Sequence, residues 1–153
     1  MRLRDRLSAA LKDAMKAREA ERTSTLRLIN AAIKDRDIAL RGDGGSDEGV
    51  GDSEIMAILG KMVKQRQESA RIYEEGGRLE LAEKELAEVR VIEEYLPRQL
   101  SADEVAAAIG AAIAETGAAS IRDMGRVMAA LKARHTGQMD FGTVGPMVKD
   151  RLV

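Results

Sequence analysis

Apolar side chains recur every three or four residues along most of the chain, and that period predicts helices. Leu3, Leu7, Leu11 and Met15 define a first helix over about 2–18. Leu26, Ile29 and Ile33 share a stripe in a second, from Thr23 to Leu40. The next stretch, "RGDGGSDEGVGDS" over 41–53, sets five glycines among acidic and serine residues and predicts a flexible loop. Asp52 or Ser53 is placed to cap a third helix, which runs along Ile55, Leu59 and Met62 and stops at Gly76-Gly77. A fourth helix spans about Arg78 to Leu96 along Ala82, Leu86, Val89 and Ile92, with Pro97 just beyond its end.

The clearest local signal is "LSADEV" over 100–105. Ser101 and Glu104 have capping-box spacing, and Leu100 and Val105 occupy the staple positions around them. The fifth helix continues through Ile109 and Ile113 to Thr116-Gly117. Ser120 opens a sixth, which carries Met124, Val127, Met128 and Leu131 and breaks at Thr136-Gly137. Asp140, or a residue just after it, starts a seventh ending at Leu152, and Pro146 is expected to kink it or delay its start. Gly110 and Gly125 fall inside helical patterns beside Ala111, Ala112, Ala129 and Ala130, and predict close helix–helix approach there. No strand-like alternation is sustained. The expected fold is all-α and multihelical: long N-terminal helical hairpins over 1–96, and a compact three-helix unit over 98–153.

Composition agrees with helix-on-helix packing. Only 2% of the 153 residues are aromatic, so the cores must be built from Leu, Ile, Val, Met and Ala. With no Cys and one His, thiol chemistry, disulfides and histidine-rich metal sites are excluded, and no cofactor is implied. The basic opening segment carries Asp5, Asp13 and Glu19 and has no continuous apolar run. It reads as neither a signal nor a transit peptide, and the expected location is the cytoplasm, with no membrane partner.

The net charge of −1 conceals an asymmetry. Residues 1–36 hold ten Lys/Arg against five Asp/Glu, residues 61–72 four against one, and residues 74–94 three against eight. A basic face beside an acidic one permits a polyanionic partner, and equally describes two solvated helix faces. The glutamates of 74–94 follow the polar face of their helix, with Lys84–Glu88 and Arg90–Glu94 at i,i+4, and no spacing suits acid–base catalysis. His135 sits at a helix end among Lys132 and Arg134, where a cation complements the dipole, and reads as capping rather than catalysis. In "KMVKQRQESARIYEEGGR", 61–78, Lys64, Gln65, Arg66, Arg71, Tyr73 and Arg78 supply donors and one flat ring. That surface can hold phosphates and stack a base, or Tyr73 can be core with its neighbours in solvent.

Three blocks go further: "TLRLINAAIKDRDI" at 25–38, "KQRQESARIYEEGGRLELAEKELAEVRVIEEYLPRQLS" at 64–101 and "DMGRVMAALKARHTGQMD" at 123–140. Together they resemble the GatB/YqeY family, in particular its stand-alone YqeY-like members. The resemblance implies the multihelical fold of the GatB tail region in the tRNA-dependent amidotransferase, a region that engages tRNA while catalysis lies elsewhere. It therefore implies a tRNA-binding or tRNA-associated accessory protein without its own catalytic centre. The expected contact residues are Lys34, Lys64, Gln65, Arg66, Arg71, Tyr73, Arg78, Arg126, Lys132 and Arg134. The family's usual label, carbon–nitrogen ligase with glutamine as amido-N-donor, is the alternative. A protein-binding adaptor for an amidotransferase or an aminoacyl-tRNA synthetase is another. The RNA reading expects these cations to converge on one surface that no internal carboxylate neutralises.

Overall fold

The computed structural model describes residues 2–42, 44 and 49–153, and among these the chain is all helix, with no strand. It divides into two compact units, 1–96 and 97–153.

The first unit holds α1 (Leu3–Lys16), α2 (Ala20–Gly42), α3 (Asp52–Glu75) and α4 (Leu79–Glu93). α1 packs on α2, and α3 packs along α4. The stripes read from the sequence form the core: Leu3, Leu7, Leu26, Ile29, Ile55, Leu59 and Ile92 are buried together. Each such side chain contributes about 1.5–3 kcal/mol through burial. Tyr95 joins this core, while Tyr73 is half-buried.

Several boundaries differ from expectation. α2 starts at Ala20 rather than Thr23, because Arg18 turns the chain at φ 56 and the Glu19 carbonyl already accepts from Thr23 N at 2.9 Å. It also runs on to Gly42, into the stretch expected to be a loop. Five of its residues, 43 and 45–48, lie outside the described residues. Its far end is tied down: Val50 is buried, its N–H donates to Asp37 Oδ1 at 2.9 Å, and its carbonyl accepts from Arg4 Nη2 at 3.1 Å. Neither Asp52 nor Ser53 caps α3, whose N-cap is Gly51. Asp52 instead accepts from Leu3 N at 3.1 Å, serving the start of α1, which has no side-chain cap of its own. The fourth helix is shorter than expected at both ends.

The second unit holds α5 (Ala102–Thr116), a 3-10 turn (Ile121–Asp123), α6 (Met124–His135) and α7 (Phe141–Leu152) around Ile109, Val127, Leu131, Val144 and Val148. The capping box at α5 forms as expected: Glu104 N donates to Ser101 Oγ at 3.2 Å, and Ser101 N to Glu104 Oε1 at 3.0 Å. Leu100 and Val105 pack on the core beside it. Gly117 ends the helix in the left-handed region at φ 65. Ser120 opens the 3-10 turn rather than the helix proper, with Asp123 completing a second box.

One expectation fails here. Gly125 is exposed, and a Cβ added there meets nothing within 4 Å, so no neighbouring helix lies close to it. Ala129 is exposed as well; α6 turns Val127 and Leu131 inward instead. At Gly110 an added Cβ would come within 3.3 Å of Arg151 Nη1, the tip of a side chain, and meets no backbone of another helix within 4 Å. Pro146 does not delay α7, which starts at Phe141 behind its Asp140 cap and includes the proline. Asp140 fixes that first turn by accepting from Gly142 N at 3.0 Å and Thr143 Oγ1 at 2.9 Å. The carbonyl that the proline leaves without a donor is that of Gly142, an exposed residue open to water.

Candidate functional site

The expected contact residues fall on three helices and at the N-cap of a fourth. Lys34 is exposed on α2; Lys64 and Gln65 are exposed on α3. Arg66 is turned inward: its side chain is 15% exposed and its Nε donates to Glu88 Oε2 at 2.9 Å, with Glu88 itself 20% exposed. A second nitrogen reaches the Met62 carbonyl at 3.2 Å, so Arg66 ties α3 to α4. Arg71 is exposed but held between Glu68 and Glu75 of its own helix. Arg78 stands exposed at the N-cap of α4, and Tyr73 is half-buried.

In the second unit Arg126 donates to Asp123 Oδ1 at 2.6 Å and to the Thr116 carbonyl at 3.0 Å. Arg134 pairs with Glu115, and Lys132 is exposed on α6. His135 ends that helix with Nδ1 3.0 Å from Gln138 Oε1, a structural contact at the dipole's negative end. Four of the five expected arginines, Arg66, Arg71, Arg126 and Arg134, thus hold carboxylates. The expectation that no internal carboxylate neutralises them fails, because helical i,i+3 and i,i+4 neighbours and facing helices bring the acids within reach.

A feature the sequence reading missed lies on α1. Ala9, Ala10, Ala14 and Ala17 floor an open cavity of about 500 Å³, walled by Arg6, Asp13, Glu19, Arg22 and Tyr95. The Arg6 guanidinium lies over the Tyr95 ring, 5.6 Å from its centroid. Arg22 donates to the Tyr95 hydroxyl at 2.8 Å and to Glu94 Oε2 at 2.6 Å. Burial raises the phenol pKa, the two arginines opposing it, and Arg22 is held firmly charged by Glu94. The arrangement pairs a small-residue floor with engaged charges and supplies no nucleophile beside a free base. The available signal was the alanine spacing along α1, which periodicity alone does not distinguish from an exposed helix face.

No group of three His, Asp or Glu capable of holding a metal occurs among the described residues. No single helix among them is long and apolar enough to cross a membrane.

The molecule defined by these features is an all-α, two-unit protein whose conspicuous polar groups are ion pairs and helix caps. The chain belongs to the YqeY-like protein family, whose profile it matches across residues 4–152. It is similar to "Altered inheritance of mitochondria protein 41, mitochondrial" of Clavispora lusitaniae, with 39% identity over 90 residues. That match covers 59% of this chain and 49% of the relative, so the chain aligns with about half the length of that protein. It is also similar to "Uncharacterized protein C22F3.15" of Schizosaccharomyces pombe, with 28% identity over 91 residues, covering 60% of this chain and 69% of the relative.

Proposed function

We propose that this protein is a tRNA-associated accessory factor that acts by binding and carries no reaction centre of its own. Membership of the YqeY-like family over nearly the whole chain supports the kinship with the amidotransferase tail on which the reading draws. The observation that carries it is a cationic run at the end of α1. Lys12 and Lys16 lie one turn apart, Arg18 follows, and all three are exposed with no carboxylate at ion-pair distance among the described residues. This run takes over from the engaged arginines of α3 as the expected backbone contact, with Lys132 as its counterpart in the second unit. The cytoplasm is the compartment such a role calls for.

Three phosphate contacts predict an affinity for tRNA that falls roughly 40-fold between about 50 and about 200 mM salt. Fluorescence titration of the full chain against tRNA measures this, and K12E/K16E/R18E should abolish the salt dependence together with most of the affinity. Absence of binding at low salt, or equal binding to polyglutamate, overturns the proposal. So does glutamine-dependent amide formation by the purified chain, which would establish the ligase alternative.

A further inference from the structure

The outward face of α2 carries charge of one sign along its length. Ser24, Arg27, Ala31, Lys34, Ile38 and Arg41 alternate steps of three and four residues, and all six are exposed. That alternation keeps them on one straight seam about 25 Å long. Arg27, Lys34 and Arg41 therefore stand about 10.5 Å apart along it. None makes an ion pair with a described carboxylate, whereas Arg36, on the other side of the same helix, turns to Glu54 at 3.4 Å. Ile38 is 56% exposed on the seam, and Leu28, 44% exposed, flanks it.

We infer that this seam docks an acidic amphipathic helix of a partner protein, with carboxylates repeating every seven residues and small apolar residues between them. Heptad spacing is the register in which one helix lies along another. The small Ser24 and Ala31 permit close approach, and the three cations select a partner of opposite sign. The apolar side chains decide between partner classes. Ile38 and Leu28 gain from burial under a helix and nothing from a phosphate backbone, and the seam has no aromatic ring on which a base stacks. The inference goes beyond the tRNA reading: it uses none of Lys12, Lys16 and Arg18, and of the expected RNA contacts only Lys34.

The test uses the full chain and a fluorescein-labelled 21-residue synthetic helix with Glu at every seventh position and Leu and Ala on the facing positions. A control peptide carries Lys in place of Glu. The Glu peptide should bind and shift the α2 amide resonances, and R27E/K34E/R41E should weaken it at least tenfold while gaining affinity for the Lys peptide. I38D should weaken both complexes. K12E/K16E/R18E should leave peptide binding unchanged, which separates this outcome from that of the tRNA titration. Circular dichroism of the variants, all altered at exposed positions, checks that they fold. Failure of the Glu peptide to bind, equal binding of the two peptides, or binding insensitive to charge reversal overturns the inference. A triple variant that loses tRNA but never bound the Glu peptide assigns the face to RNA and overturns it too.

Discussion

Arg4 grips Asp37 with both terminal guanidinium nitrogens, each 2.9 Å from a carboxylate oxygen, across 33 residues of sequence. The same carboxylate accepts from Val50 N, and the same guanidinium donates to the Val50 carbonyl. One ion pair thus fastens the start of α1, the last turns of α2 and the segment that leads into α3. Asp37→Asn keeps the shape but removes the charge, and should lower stability by roughly 1.5–3 kcal/mol, the range for hydrogen bonds to charged groups. Urea denaturation monitored by circular dichroism measures the loss.

The clasp also sets an acid response. The Arg4 guanidinium, and after it the Val50 N–H, hold the Asp37 carboxyl at about 2, against 3.8 for the free group. A depressed carboxylate stabilises the fold above its unfolded value, and that contribution disappears as pH falls through its folded one. The stability difference between wild type and D37N should therefore be constant above about pH 4 and shrink between pH 4 and 2. A difference that stays level down to pH 2 contradicts the assignment.

Gly49 sits against this pair at φ +84, and a Cβ there would lie 2.7 Å from both Arg4 Nη2 and Asp37 Oδ1. Gly77 has a similar φ, +73, with nothing within 4 Å. Gly77→Ala should cost about 1 kcal/mol from backbone strain alone, while Gly49→Ala should cost clearly more because it also displaces the clasp. Thermal melts of the two variants, side by side, test the ordering.

Arg66 and Lys34 separate structural from surface cations. Arg66→Ala leaves the half-buried Glu88 without its partner and should destabilise the α3–α4 pair by roughly 1–3 kcal/mol. Lys34→Ala, on an exposed face and without an ion pair among the described residues, should change stability by less than about 0.5 kcal/mol. Equal effects in chemical denaturation would contradict the placement of Arg66.

In the second unit, Gly125→Ala should stabilise α6 by up to about 1 kcal/mol, because the site is exposed and has room for a methyl group. Leu131→Ala, less than two turns on and buried, should cost about 2–5 kcal/mol. A destabilised Gly125→Ala variant would restore the close-packing reading of that glycine.

The sequence by itself determined the all-helical architecture, the apolar stripes that become the two cores, and the capping box at Ser101. These follow from periods and spacings of a few residues, and local geometry converts them directly into structure. Tertiary structure alone decided which charges on different helices face each other. Arg66 looked like a surface donor until α4 brought Glu88 beside it, and nothing near Arg4 in the sequence points to Asp37. It likewise showed that Gly125 faces open space, and that Asp52 serves α1 rather than its own helix. The physical reason is common to all four: a side chain's partner depends on which elements pack around it, and helical period fixes the face a residue occupies but not what lies opposite that face.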